Sequence, residues 1–146
     1  MHTQTSITIR APKEKIFQTA ADLSQWPRIL PHYRYIHYIQ RGENRHIVKM
    51  AATRDGIPIS WTSEQIIDPE KLEVHFRHLK AFTKGMEVVW KFEDREDGVF
   101  VTILHDLNFR IPALAPIADY IIGDFFIENI ANKTLRAMKL YLENTP

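Results

Sequence analysis

The chain of 146 residues contains no cysteine, and this absence excludes several kinds of site together. Disulfide bonds, thiolate nucleophiles and cysteine-ligated metal centres all require a thiol. The compartment of the protein therefore cannot be judged from cysteine usage. Any chemistry that the protein performs must rely on other side chains.

A strong net charge is also missing. The 19 basic and 18 acidic residues leave a formal charge of +1, which creates no overall field that would attract nucleic acid. Hydrophobic residues make up 45% of the chain and glycine occurs only 5 times, so neither disorder nor a fibrous repeat is expected. This composition is typical of a globular protein that does not bind nucleic acid.

Long apolar runs are absent as well. No stretch approaches the roughly 18 consecutive apolar residues of a membrane-spanning helix, and residues 1–5 lack the basic and then apolar pattern of a signal peptide. We therefore expect a cytoplasmic protein without integral membrane association. Because no repeat, low-complexity segment or linker interrupts the chain, residues 1–146 are predicted to form a single domain.

What the sequence does contain is a short corner rich in aromatic and basic side chains, Trp26 to Tyr33. Its two prolines each restrict the preceding residue, so Trp26 and Leu30 are expected at bends rather than inside long regular elements. Such a rigid corner either contributes to a binding site or closes one end of a hydrophobic core.

One strand and two short helices are predicted around this corner. Thr3 to Arg10 alternates polar and apolar residues, as in a half-buried strand. Pro12 then suits a first helical turn. The apolar residues that follow at helical spacing are Ile16, Phe17, Ala20 and Leu23. We expect Ser24 to cap a second short helix that ends at the corner.

After Tyr33 the apolar pattern becomes that of an antiparallel meander. Turn signals such as Asp55-Gly56 separate segments rich in β-branched and aromatic residues. Glycine adopts positive φ without steric cost, so the Asp-Gly pairs favour tight hairpins. The predicted strands are Tyr35–Gln40, His46–Arg54, Ile57–Ile67, Leu72–Leu79, Met86–Glu93 and Val99–Phe109.

A long helix, Leu114 to Glu143, is predicted to close the chain. In its second half the apolar residues form one stripe. This stripe consists of Ile127, Ile130, Ala131, Leu135, Met138 and Leu142. In the first half the apolar residues cover more of the circumference, so Ile122 and Phe126 are expected to face a cavity as well as the sheet.

This order of elements indicates an α+β fold, with a seven-stranded antiparallel sheet and a helix on one face. One side of every strand then lines the interior. The polar residues on that side are Ser63, Gln65, His78 and His105. The aromatic residues expected beside them are Trp26, Tyr33, Trp61, Phe76 and Trp90. A mostly apolar wall with a few polar groups is typical of a small-molecule site.

Each of these residues also has an ordinary structural explanation. Buried histidines are often hydrogen-bonded members of a core. Tryptophan and phenylalanine commonly fill space without touching a ligand. The pattern alone therefore leaves open whether the wall encloses a pocket or a packed core.

Metal and cofactor sites are not expected. His75 and His78 are three residues apart on a predicted strand and point to opposite faces, so they cannot share a metal ion. The sequence has no glycine-rich phosphate loop, no G-x-S-x-G motif and no H-E-x-x-H motif. We predict neither a metal nor a cofactor.

Several stretches together resemble one protein superfamily. They are Ile9-Arg10-Ala11-Pro12 with Phe17, the corner Trp26-Pro27 to Leu30-Pro31-His32-Tyr33, Trp61-Thr62-Ser63 followed by Asp68-Pro69, and Phe126 with Ile130-Ala131-Asn132-Lys133-Thr134-Leu135. In order and spacing they resemble the helix-grip fold of the START and birch-pollen-allergen (SRPBCC) superfamily. Within it the chain looks most like the polyketide cyclase/aromatase and coenzyme-Q-binding-like branch. The resemblance covers nearly the whole chain and implies a curved sheet, two short helices after strand one and a long C-terminal helix over a ligand cavity.

The resemblance also implies roles for particular residues. In the polyketide aromatases the corner tryptophan and tyrosine, matched by Trp26 and Tyr33, line the pocket. A serine and an arginine on the fourth strand are proposed to orient the polyketide and to assist enolisation and dehydration. Ser63 matches the serine, Gln65 stands in the place of the arginine, and a second pocket arginine falls on His78. Glutamine can donate a hydrogen bond but cannot supply the positive charge that would stabilise an enolate.

These observations predict a domain that binds a hydrophobic aromatic or polyketide-derived molecule between its sheet and its C-terminal helix. If it is an enzyme, we expect cyclisation with dehydration, in which Ser63 and Gln65 orient a carbonyl. His78 or His105 would move the protons. The alternative is a non-catalytic carrier or chaperone of a quinone or lipid. Two further possibilities stay open. One is an adaptor that presents the corner to a protein partner, and the other is a homodimer.

Overall fold

The computed structural model describes residues 2–107, 116 and 129–145, without the side chain of Phe82. Its first elements are strand β1 (His2–Ile9), helix α1 (Lys13–Ala21) and the one-turn helix α2 (Trp26–Ile29). Six strands follow: β2 (Tyr33–Arg41), β3 (Arg45–Arg54), β4 (Ile57–Asp68), β5 (Glu73–His78), β6 (Glu87–Arg95) and β7 (Gly98–Asp106). The last described element is helix α3 (Asn132–Glu143).

The seven strands form one curved antiparallel sheet in the order β1-β7-β6-β5-β4-β3-β2. This topology confirms the predicted α+β helix-grip fold. The turn between β3 and β4 shows the local cause, because Asp55 and Gly56 both have positive φ, 49° and 85°, as a tight hairpin requires. The meander places the inner faces of β4 to β7 side by side.

The predicted cap of the second helical segment is wrong. Ser24 lies inside a 3-10 turn, Leu23–Gln25, and Asp22 caps that turn by accepting a hydrogen bond from the Ser24 backbone N–H at 3.2 Å. A side chain just before a helical turn can reach its unpaired N–H groups. Ser24 comes too late in the turn for that role.

The corner between α1 and β2 packs its apolar side chains inwards. Trp26 and Leu30 are 2% and 0% exposed, and the Trp26 indole N–H donates to the Thr19 carbonyl at 3.0 Å. Pro27 lies in the first turn of α2, and the backbone of Leu30 is extended, with φ −116° and ψ 99°. The chain therefore leaves α2 at Leu30 and enters β2 at Tyr33.

Helix α3 packs on the inner face of the sheet and is tied to the end of β1. Lys139 Nζ donates to the Thr8 carbonyl at 2.6 Å, and Glu143 accepts from the Arg10 backbone N–H at 2.8 Å. The buried residues of α3 are Thr134, Leu135, Met138 and Leu142. A wider π-helical turn, residues 129–131, precedes it.

Most of the first half of the predicted long helix, including Ile122 and Phe126, lies outside the described residues. The ligand-facing roles expected of these two residues therefore stay predictions. Within the described ranges, no helix combines the length and the hydrophobicity needed to cross a membrane.

The packing of α3 predicts a large difference between two of its leucines. Leu135 is 1% exposed, and Leu135→Ala should lower the free energy of unfolding by about 2–5 kcal/mol because it leaves a cavity under the helix. Leu140 is 66% exposed, and Leu140→Ala should change it by no more than about 0.5 kcal/mol. Urea unfolding measures both, and equal costs would contradict the packing of α3.

Candidate functional site

A cavity of about 60 Å³ lies between the inner face of the sheet and α3. The aromatic residues that line it are Trp26, Tyr33, Trp61, Phe76 and Trp90. Its polar lining residues are His78, His105 and Thr134. Sites for drug-sized ligands usually measure about 300–1,000 Å³, so the wall must move apart before it can enclose a molecule of several rings.

The aromatic lining is a connected set of ring contacts. The Trp26 ring meets Tyr33 edge-on, with 5.0 Å between centroids, and lies 5.8 Å from Trp90. Tyr33 meets Trp61 at 6.1 Å. The Trp61 ring is parallel to that of His78, 6.2 Å away. Edge-to-face and offset arrangements are the favourable ones for such rings, so the corner and the strands form one wall in which each ring restricts the next.

His78, on the inner face of β5, is a buried neutral imidazole. Its side chain is held at Nδ1, which lies 2.8 Å from Thr83 Oγ1. Desolvation by burial, and secondly the neighbouring His105, lowers its pKa to about 3. The ring therefore stays uncharged at neutral pH, with one nitrogen carrying a proton and the other carrying a lone pair.

His105, on the inner face of β7, has a similar environment but different partners. Burial lowers its pKa to about 4. Its Nδ1 is buried and has no hydrogen-bond partner within the described ranges. Buried polar atoms are usually paired, so this nitrogen is the clearest position in the wall for a hydrogen bond to a bound molecule.

Ser63 and Gln65 do not line this cavity, although both are 0% exposed on β4. The Gln65 side-chain amide donates to the Ala21 carbonyl at the end of α1, at 3.0 Å. The hydroxyl of Ser63 and the amide oxygen of Gln65 have no partner in the described part of the chain. Ser63 pairs with His78 across the sheet, so the serine is next to the cavity wall, whereas Gln65 helps to anchor α1.

Three polar residues of this region were missed by the sequence reasoning. Thr83 contacts His78, Thr134 lines the cavity, and His32 Nε2 lies 2.9 Å from Thr134 Oγ1. A signal for Thr134 was available, because it stands four residues after Ile130 on the apolar stripe of the last helix. No periodic pattern marks Thr83, which lies in a short 3-10 turn, Ala81–Thr83.

The family can now be stated from comparison with known proteins. A model of the family described as "Polyketide cyclase / dehydrase and lipid transport" matches residues 1–143. The chain belongs to this family. The resemblance to the polyketide cyclase branch of the helix-grip superfamily is thereby confirmed.

Two Streptomyces proteins are similar to this chain in sequence. A protein of Streptomyces cyaneus, named as a candidate polyketide cyclase, is 30% identical over 131 residues, or 88% of this chain and 85% of its own. The granaticin polyketide synthase bifunctional cyclase/dehydratase of Streptomyces virginiae is 33% identical over 102 residues. That match covers 68% of this chain but only 34% of the bifunctional protein, so the family member described here corresponds to about a third of it.

A solved structure shares this architecture. The Zhui aromatase/cyclase from Streptomyces sp. R1128 superimposes with a TM-score of 0.81, covering 98% of this chain and 93% of that chain. The sequence identity is 18%. This similarity shows that the two proteins share a fold.

The buried histidines of this family member predict loss of stability in mild acid. Burial lowers the pKa of His32, His78 and His105 from the ordinary 6.5 to about 4, 3 and 4. Between pH 6.5 and about 4 the unfolded chain therefore binds protons that the folded chain does not, and the free energy of unfolding falls as the pH falls. Each histidine contributes up to about 1.4 kcal/mol per pH unit in that window.

Urea unfolding between about pH 7 and pH 5 measures this slope. His105→Gln should reduce this slope, because it removes one of the three imidazoles that stay unprotonated in the folded chain but become protonated in the unfolded chain. His37→Gln, on the exposed side of β2, is the control and should leave the slope unchanged. A wild-type stability that does not vary over this range would show that the three rings are not held neutral.

Proposed function

We propose that this chain binds a hydrophobic aromatic or polyketide-derived molecule in the cavity and promotes its cyclisation and dehydration. The proposal rests on one observation: two buried neutral imidazoles, His78 and His105, belong to the wall of a single aromatic cavity. Membership of the cyclase/dehydrase family supports the class of reaction. The aromatic residues of the wall would fold and hold the substrate.

Two imidazoles can supply both proton transfers that the reaction needs. One nitrogen removes a proton from a methylene carbon between two carbonyls, while an N–H of the second ring donates to the carbonyl oxygen on which negative charge develops. The enolate carbon then bonds to a second carbonyl carbon, and the new alkoxide receives a proton. Dehydration repeats the cycle: a proton leaves carbon, and the hydroxyl departs as water after it is protonated.

The hydrogen bonds of the two histidines favour different roles. Thr83 Oγ1 holds the His78 ring at Nδ1. The buried Nδ1 of His105 has no partner among the described residues, which suits it to pairing with a ligand oxygen when that nitrogen carries the proton. We therefore assign the electrophilic donor to His105 and the removal of the proton to the second imidazole of the wall, His78.

A non-catalytic carrier of a quinone or lipid is the second candidate function. The observation that favours it is the absence of a cation from the described cavity wall, together with the use of the Gln65 amide to anchor α1. An apolar cavity without charge suits a neutral ligand, and the family description includes lipid transport. A cytoplasmic location, a homodimer and the single domain remain predictions from the sequence.

Turnover of a linear poly-β-ketone distinguishes the two functions. His78→Ala and His105→Ala should each slow formation of the cyclic product by about 10²–10⁴-fold, since each removes a general acid or base. His37→Ala changes a histidine on the exposed side of β2 and should retain the wild-type rate. Chromatography of the aromatic product, corrected for the spontaneous reaction, gives these rates.

Binding measured on the same proteins completes the test. If wild-type turnover equals the spontaneous background while aromatic probes still quench tryptophan fluorescence, the carrier function replaces the cyclase. If a chemically diverse panel of aromatic and quinone probes produces no quenching at all, both functions are rejected.

A further inference from the structure

Strands β1 and β7 carry three buried polar atoms beside the cavity. These atoms are Thr3 Oγ1, Thr5 Oγ1 and His105 Nδ1, and none of them has a hydrogen-bond partner in the described ranges. Thr5 and His105 are each only 6% exposed. Buried polar atoms without a partner are rare in folded proteins, and each calls for an explanation such as a bound water or a functional role. Three of them on two neighbouring strands suggest one common cause.

The strand register brings these atoms together on the inner face. Thr3 pairs with His105, and Thr5 pairs with Ile103, across the antiparallel β1 and β7. Directly opposite side chains on one face have Cβ atoms about 4.5–5.5 Å apart, and alternate residues of one strand are about 7 Å apart. His105 and Ile103 both line the cavity. Each threonine is therefore the cross-strand neighbour of a lining residue.

A ligand that extends the cavity toward β1 would gain hydrogen bonds there. The cavity measures about 60 Å³ and must widen to hold a molecule of several rings. At His78 and Thr134 the polar atoms already have partners, since His78 Nδ1 lies 2.8 Å from Thr83 Oγ1 and Thr134 donates to a backbone carbonyl at 2.7 Å. The hydroxyls of Thr3 and Thr5 have none in the described part of the chain, so a ligand oxygen displaces no partner there.

The chemistry of the three groups selects neutral oxygen atoms. A threonine hydroxyl donates one hydrogen bond and accepts two, and each nitrogen of a neutral imidazole either donates or accepts. Burial lowers the pKa of His105 to about 4, so its ring is uncharged at pH 7. Carbonyl and hydroxyl oxygens match such groups. A carboxylate would lose its hydration here without meeting a cation.

We propose that Thr3, Thr5 and His105 form a polar subsite beside the cavity that receives carbonyl or hydroxyl oxygens of the ligand when the wall moves apart. The ligand class is that of neutral ketones, enols and alcohols. A poly-β-ketone carries oxygen on every second carbon, so its oxygen atoms would lie along β1 while its carbon skeleton contacts the aromatic rings. This inference rests on the proposed function, because it concerns the ligand of the same cavity.

Two probes of nearly equal shape test the subsite. 2-Acetylnaphthalene carries a carbonyl oxygen, and 2-isopropenylnaphthalene carries a CH2 group in its place. Protein NMR titrations give the ratio of their dissociation constants, alkene over ketone, for each variant. Thr3→Val or Thr5→Val, whichever hydroxyl meets the single oxygen, should lower this ratio about tenfold, the factor for one net hydrogen bond. A general change in packing affects both probes and cancels in the ratio.

Two further variants of β1 serve as controls. Thr8→Val makes the same change on the opposite face of the strand, where Thr8 pairs with Phe100, and should keep the wild-type ratio. Thr5→Ser retains the hydroxyl and should also keep it. An unchanged ratio in both Thr3→Val and Thr5→Val would overturn this inference alone, whereas no binding of either probe to the wild-type protein would overturn it together with the proposed function.

The stability of the same variants gives an independent test. Thr5→Val removes a buried hydroxyl that has no partner in the described chain, so it should raise the urea midpoint of unfolding or leave it unchanged, even where it weakens ketone binding. A midpoint below that of the wild type would overturn the proposal, because it would show that the hydroxyl is already paired in the free protein.

A third probe tests the ligand class on the wild-type protein alone. 2-Naphthoate has a carboxylate where the ketone has its acetyl group, and it should bind at least about tenfold more weakly. Binding as tight as that of 2-acetylnaphthalene would overturn the assignment of the subsite to neutral oxygen atoms.

Discussion

Removal of water from the inner face of the sheet is the constraint on which the rest of this structure depends. Helix α3 and the corner bury a set of aromatic rings that contact one another from Trp26 to Trp90. The same closure takes polar groups out of water, and each of these must find a partner or remain neutral. Packing and chemistry are therefore not separate features of this domain, since the rings that exclude water also determine the state of the histidines among them.

The three buried histidines share a neutral state but differ in their hydrogen-bond partners. His32, His78 and His105 share one side-chain chemistry and one direction of pKa change, caused first by burial. Their neighbours differ: Thr134 for the first, Thr83 for the second, and no described partner for Nδ1 of the third. A neutral imidazole acts as donor at one nitrogen and acceptor at the other, so the partner at one nitrogen decides what the other nitrogen can do.

Gln65 shows why family position alone does not assign a role. The resemblance to the polyketide aromatases predicts a polar pocket role for it, in place of an arginine, whereas its amide reaches the Ala21 carbonyl, 44 residues earlier in the chain. Ser63, on the same strand, lies next to His78 across the sheet. A scaffold can retain such positions while the chemistry at each of them changes.

The sequence by itself determined the strands, the hairpins, the order of elements and the set of side chains that share the inner face. These are local properties, because alternation places every second residue on one side of a strand and Asp-Gly pairs favour tight turns. Tertiary structure alone decided that Gln65 lies outside the cavity wall and that His32 and Thr134 meet although 102 residues separate them. Such contacts depend on the distance and direction between elements packed on each other, and residue spacing along the chain carries neither quantity.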